Sequence, residues 1–302
     1  MERNDYLIRA TAASGALRAF ALQTTELTNE AQWRHGLFPV ASAALGRTMA
    51  VALVMGSMLK GPEHLTVQIQ SEGPLQGLVV STDSVGNVRG YVRNPRVQLP
   101  LNNKGKLAVG DGLHPGTLHV IRDMGLKGPY QGSVALQTGE VGDDFAYYFA
   151  VSEQTPSVVS IGTLVNPDGS VRKSGGYVIQ LLPEAEPALV DRLEERIPHV
   201  PPVTTLLDSG KSPEAILHLV LGDLDLKIQE TRPVQYHCPC SLERFRDGLV
   251  TLGREELETL VREEEQLELV CHFCQEKYYV SRDDVQELLD ELTNRSAGDI
   301  EG

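Results

Sequence analysis

The chain has 302 residues, 41% of them hydrophobic and 23% charged, and carries a net charge of −14. That length allows one large domain and a smaller one, and the acidity argues against a nucleic-acid partner, because phosphate binding draws on clustered Lys and Arg. Residues 1–10 lack the apolar run of a signal peptide, and the longest apolar stretch, 49–59, is far shorter than the roughly 20 residues that cross a bilayer. A soluble, cytoplasmic protein without membrane contact is therefore expected.

The first 182 residues read as an α+β domain. Residues 6–11 and 17–24 have strand character, with a tight return near Gly15. A helix is expected from about Thr25 and a second over 39–59, rich in Ala, Met and Leu. Short alternating runs follow at 65–70, 77–82, 88–92, 117–123 and 133–138, punctuated by Gly and Pro as turns require. Helix is expected over 143–154, then strands over 158–165 and 176–182. Trp33, Tyr147 and Tyr148 fall in helical contexts and read as core.

The character changes at residue 183. Leu189, Val190, Leu193 and Ile197 recur at helical spacing in an acidic stretch, until a Pro-rich run at 198–202 breaks the helix. Ser212 and Pro213 mark a further helix start, an N-cap followed by Pro at the first helical position. Ile216, Leu217, Val220 and Leu221 supply its apolar face, and Leu224, Leu226 and Ile228 then alternate with Asp and Lys. Residues 183–233 are thus expected to be a helical linker of short elements that stay folded only while packed on a neighbour.

Residues 234–293 read as a compact metal domain. Ser241 caps a helix carrying Leu242, Phe245 and Leu249, and 254–264 gives another. Two strands, 267–270 and 277–280, flank a turn at 271–274. Ser281 with Asp284 resembles a capping box for a last helix bearing Val285, Leu288, Leu289 and Leu292. Residues 294–302 are expected to form a frayed, flexible tail.

All four cysteines lie in this last domain, as Cys238-Pro-Cys240 and Cys271-His-Phe-Cys274. A disulfide-stapled secreted fold would spread its cysteines along the chain. Two close pairs far apart in sequence can instead meet as the corners of one tetrahedron, and four thiolates satisfy Zn²⁺ in a closed site. One zinc ion per chain is expected, with His237 and His272 as bystanders. The plain reading of such a site is an inert structural metal. A switch is favoured by the small size of the domain, whose folding would depend on the metal. It is favoured also by the awkward ring that a disulfide across one residue closes, since strained disulfides are the labile ones.

The large domain holds no phosphate-binding loop, HExxH or GxSxG signature. Asp111 and His114 share a Gly-rich segment without a nucleophile beside them, so a plain turn is expected there and an enzyme is not.

The cysteine motifs, together with SAALGR (42–47), RGYVRNP (89–95), GDDFAYY (142–148), GGYVIQLL (175–182), CPCSLER (238–244) and CHFCQEKY (271–278), resemble the bacterial 33 kDa chaperonin family of redox-regulated heat-shock holdases. The resemblance runs through nearly the whole chain. It implies that the reduced form binds zinc through Cys238, Cys240, Cys271 and Cys274 and is inactive. It further implies that oxidants with heat form the disulfides Cys238–Cys240 and Cys271–Cys274, release zinc and unfold the linker. A homodimer and ATP-independent holding of unfolding client proteins would follow. The apolar linker residues Leu189, Leu193, Ile197, Ile216, Leu217 and Val220 are the candidate client-binding positions.

Overall fold

The computed structural model describes residues 5–123, 125, 128–183 and 185–298. The chain divides into two units, one ending at His237 and one beginning at Cys238. The fold is α+β in both.

In the first unit, Tyr6–Ala12 (β1) and Leu17–Gln23 (β2) pair antiparallel through a 3-10 turn whose residues Ala13, Ser14 and Gly15 all have positive φ. Thr25–His35 (α1) and Pro39–Gly56 (α2) follow, and Gly36 at φ 58° closes α1. Then come His64–Ser71 (β3), Gly77–Asp83 (β4), Asn87–Val92 (β5), Val109–Leu113 (α3), Gly116–Asp123 (β6) and Tyr130–Ala135 (β7). Val141–Val151 (α4), Ser157–Val165 (β8) and Val171–Leu181 (β9) complete the part expected as a domain. Beyond it lie Pro187–Arg196 (α5), Val203–Asp208 (α6), Pro213–Leu221 (α7), Lys227–Pro233 (β10) and Gln235–Tyr236 (β11).

The strands form a five-stranded sheet ordered β10-β1-β2-β9-β8 and a six-stranded sheet ordered β11-β5-β4-β3-β6-β7. Helix α2 packs against strands of both. By length and composition it could span a bilayer, yet 89% of it is buried, which makes it a core helix. Its Gly46 has a specific reason. A Cβ there would lie 2.6 Å from the Thr28 methyl and 2.8 Å from the Thr163 hydroxyl. The bare backbone lets α2 close on a buried hydroxyl group cluster in which Ser174 joins Thr24, Thr28 and Thr163 at 3.0–3.2 Å.

Several elements differ from expectation. Strand β7 ends at Ala135 because the Gln137 and Thr138 N–H groups donate to Asp144 Oδ1 at 2.7 and 3.1 Å, tying the connecting loop to the first turn of α4. Strand β9 begins at Val171, five residues early. Gly175 and Gly176 look like breakers, but a Cβ at Gly176 would sit 2.2 Å from the Ser160 carbonyl oxygen, so close strand contact requires glycine. Trp33 is not core: it is 76% exposed, with the Arg34 guanidinium 5.9 Å from its ring. The buried face of α1 is Leu27, Thr28 and Ala31, and Trp33 lies off that stripe. Tyr147 is likewise exposed, whereas Tyr148 is buried.

Helices α5, α6 and α7 lie on one face of the five-stranded sheet. Ile8, Ala10, Ala12, Leu17, Ala19, Ala21, Tyr177 and Ile179 form a shelf that is covered by Leu193, Val203, Leu206, Leu207, Ile216, Leu217, Val220, Leu221 and Leu224. Ser212 caps α7 by accepting the Ala215 N–H at 3.3 Å. The Tyr6 hydroxyl donates to Glu214 at 2.8 Å, and Arg172 pairs with Asp208 at 2.7 Å, so polar ties ring the apolar contact. The alternation at Leu224, Leu226 and Ile228 leads into strand β10, which pairs antiparallel with β1.

Asp5 sits where β1, α1 and the end of β10 meet. It is 2% exposed, its Oδ2 accepts the Leu27 N–H at 2.7 Å, and its Oδ1 has no hydrogen-bond partner. Burial pushes its pKa up to about 6. A raised folded-state pKa favours the neutral form, so its contribution to stability is complete below the unfolded value near 3.8 and is lost as pH rises through about 6. Asp5→Asn keeps the cap without the charge. It is expected to be more stable than the parent at pH 7.5 by about 3 kcal/mol, with the difference vanishing near pH 4. Urea unfolding at both pH values measures this, and equal stabilities at pH 7.5 would refute it.

The second unit contains Leu242–Val250 (α8), Arg254–Glu263 (α9), Gln266–Val270 (β12), Lys277–Ser281 (β13) and Arg282–Gly298 (α10). Ser241 accepts the Arg244 N–H at 3.3 Å, capping α8. The capping box at α10 is reciprocal: Ser281 N–H donates to Asp284 Oδ2 at 3.0 Å, and Asp284 N–H donates to Ser281 Oγ at 3.2 Å. Helix α10 continues through residues 294–298, where a frayed tail was expected, while 299–302 lie outside the described residues. The buried core is small: Leu249, Leu257, Val280, Val285, Leu288 and Leu289.

Candidate metal centre

Two short backbone devices bring the four cysteines together. Cys238 and Cys240 lie in the extended segment just before α8, which Ser241 fixes by capping. Cys271 and Cys274 occupy the turn between β12 and β13, whose register runs from Gln266 opposite Ser281 to Val270 opposite Lys277. The turn is closed by Cys271 N–H to the Glu276 carbonyl at 2.9 Å and Gln275 N–H to the Cys271 carbonyl at 2.8 Å. Gln275 takes φ 60° to complete it. Strand pairing sets where this turn falls, so both of its thiols face the same point.

The four Sγ atoms all lie within 4.8 Å of one another. Cys238 and Cys271 are 3.7 Å apart, and Cys240 and Cys274 are 3.3 Å apart. None of the four is in a disulfide. Cys271 and Cys274 are 6% and 5% exposed, while Cys238 and Cys240 are half-buried. Burial pushes the thiols of Cys271 and Cys274 up. Crowded thiolates are costly by themselves, and a bound dication reverses that balance by stabilising each anion. The cluster can therefore hold a metal ion. Neither His237 nor His272 belongs to it.

One residue of the centre escaped the sequence analysis. The Tyr278 hydroxyl on β13 lies 3.3 Å from Cys240 Sγ and donates to the Cys240 carbonyl at 3.1 Å, while its ring packs 5.1 Å from Phe245. The thiol beside it pushes the Tyr278 pKa up, keeping the phenol a donor. Its signal was its place in CHFCQEKY, four residues after Cys274.

The other candidates fall elsewhere. Asp111 lies in the short helix α3 rather than a plain turn, and both it and His114 are exposed. The six apolar linker positions face the five-stranded sheet: Leu193, Ile216, Leu217 and Val220 are buried, and Leu189 and Ile197 pack partly buried at the margin.

Comparison with known proteins bears on this arrangement. A family model described as Hsp33 protein matches residues 5–281. The chain is 46% identical to the 33 kDa chaperonin of Bacillus subtilis over 96% of its own length and 99% of that relative. It is 48% identical to the 33 kDa chaperonin of Shouchella clausii with the same coverage. Among solved structures it is similar to the 33 kDa chaperonin (heat shock protein 33 homologue) of Thermotoga maritima, with TM-score 0.88, 35% identity, and coverage of 96% of this chain and 99% of that one.

Proposed function

Because this chain belongs to the Hsp33 family, a family of chaperones and not of enzymes, we propose that it is a redox-regulated, ATP-independent holdase of the cytoplasm. It protects unfolding proteins from aggregation under oxidative and heat stress, and one zinc ion per chain keeps it inactive. The observation that carries this reading is the convergence of four sulfurs within 4.8 Å in a unit with only a small core. Tetrahedral zinc with Zn–S of about 2.3 Å needs sulfurs about 3.8 Å apart, close to the spacing of Cys238 and Cys271 at 3.7 Å. When bound, the ion holds the four thiolates deprotonated and supplies folding energy to the unit.

Activation begins at the sulfurs. Two thiolates give two electrons to a peroxide, two protons are taken up, the O–O bond breaks to leave two waters, and a disulfide forms. The pairing we propose is Cys238–Cys240 and Cys271–Cys274, following the family resemblance. With all four sulfurs mutually close, proximity in the folded centre does not select a pairing. Once the donors are consumed the second unit loses its metal, and the segment 183–233 acts as a metastable linker that detaches from the sheet. Cys238 follows β11 after a single residue, so the change would enter the first unit at the strand that comes after β10 in the chain. The released side chains Leu189, Leu193, Ile197, Ile216, Leu217 and Val220 then bind clients, and dimers form on activation.

Peroxide with mild heat tests this on the whole protein. Zinc release, disulfides within each motif, new proteolytic cleavage inside 183–233 and suppression of client aggregation are expected together. Aggregation suppressed equally by the reduced, zinc-bound protein would instead make it a constitutive interaction protein with an inert metal. Disulfides mainly between the motifs would overturn the pairing.

A further inference from the structure

Strand β10 is an unusual edge strand. It lies between Lys227 and Pro233, inside the segment that the proposed function releases, and covers the outer side of β1 from Tyr6 opposite Pro233 to Thr11 opposite Lys227. The ladder is interrupted by a register shift between Arg9 and Ala10. No β10 side chain enters the core beneath α5–α7. Lys227, Ile228, Gln229, Thr231 and Pro233 are exposed, and only Glu230 and Arg232 are half-buried. The side-chain ties are polar: Gln229 to Thr11 at 3.1 Å, and Arg232 to Glu230 and to the Ser84 carbonyl. The strand is thus held mainly by its backbone, and the slot it fills demands little of a sequence.

The strand beneath it is different. Ile8, Ala10 and Ala12 of β1 are buried and continue into the apolar shelf that α5–α7 cover. An uncovered β1 would present a row of unpaired N–H and C=O groups beside an exposed shelf of small and branched apolar side chains. Backbone pairing at such an edge is independent of sequence, and the shelf takes the alternate side chains of whatever strand pairs there.

We propose that the β1 edge is a strand-addition site for extended segments of unfolding proteins, opened when β10 leaves. This rests on the linker release proposed above and names how the client is held. The occupant is an extended, partly apolar polypeptide, since the structure seats an extended segment there already. Its backbone supplies the shared contacts and its apolar side chains the grip. Such a mode suits a protein that must hold many unrelated chains, because the ladder reads main chain and not side chains.

Amide exchange resolved to single residues tests this on the full-length protein, with reduced and carboxymethylated α-lactalbumin as a permanently unfolded client. The reduced protein is expected to protect the β1 amides on both edges. After peroxide and heat, the amides of residues 6–12 that face away from β2 should exchange at least about tenfold faster, and should slow again by at least about tenfold when the client is added. Those facing β2 should stay protected throughout. Continued protection after activation would mean that β10 does not leave, and protection lost but not restored by a bound client would place the client elsewhere. Protection restored before client is added would give the edge to a second copy of the chain. Each of these overturns the proposal, whereas failure of the activated protein to suppress aggregation at all would count against the proposed function itself.

Discussion

Cys271→Ser in the reduced protein is expected to lose stoichiometric zinc and, with it, the ordered fold of the second unit. A serine hydroxyl stays protonated at neutral pH and is a poor ligand for a dication held by thiolates. Loss of an outer-shell partner alone costs 10–100-fold in metal affinity, so loss of a direct ligand should cost more than about 100-fold. The backbone of the turn does not compensate: its two hydrogen bonds, through Cys271 and Gln275, survive the substitution but close only one loop. What remains is a core of Leu249, Leu257, Val280, Val285, Leu288 and Leu289. A core of that size does not sustain a unit of this length without a staple, and zinc binding in small domains supplies about 10–16 kcal/mol. Metal analysis, with amide exchange across β12 and β13, provides the measurement. Full zinc content with native exchange would show that three thiolates suffice and that the unit folds without the fourth.

Leu217→Ala is expected to loosen the linker without touching the metal centre. Leu217 is fully buried on α7, which packs on β1, β2 and β9. Removing its side chain from a close-packed contact should cost about 2–5 kcal/mol. At about 3 kcal/mol the detached state becomes roughly a hundredfold more populated, so cleavage within 183–233 and client holding should appear at lower temperature and with less oxidant. Leu219→Ala on the same helix is the control. Leu219 is 48% exposed, and its loss should change stability by less than about 0.5 kcal/mol. Zinc content should equal the parent's in both variants. If Leu217→Ala and Leu219→Ala release the linker at the same temperature, packing on the sheet is not what restrains it.

The two substitutions probe restraints of different kinds. Under the proposed function the second unit would depend on a metal that oxidation removes, whereas α5–α7 rest on an apolar contact that conformational entropy overcomes on heating. On that proposal, a sensor built from both would respond most strongly when oxidant and heat arrive together. It would give a physical sense to the place of Cys238 and Cys240, which come just after β10 and β11 in the chain.

The sequence by itself picked out the four cysteines that the structure brings within 4.8 Å of one another, because two close pairs of thiols are what a four-sulfur metal site requires, and this needed no knowledge of distance. It also determined most strands and helices. The capping residues Ser212, Ser241 and Ser281 act within three residues of themselves, and the glycine and proline punctuation is equally local. The family was legible for the same reason, since its motifs are short and specific. Only the tertiary structure decided how these parts meet. The exposure of Trp33 depends on which face of α1 meets the sheet. The early end of β7 depends on Asp144 drawing the Gln137 and Thr138 amides away from the ladder. The early start of β9 depends on Ser160 approaching Gly176. Tyr278 joins the centre because strand register places its hydroxyl at Cys240. Above all, the linker helices are supported by strands from both ends of the first unit, and the pairing of β10 with β1 joins residues more than 200 positions apart. Apolar periodicity fixes which face of an element is buried, but the partner is chosen by long-range packing, and no local pattern encodes it.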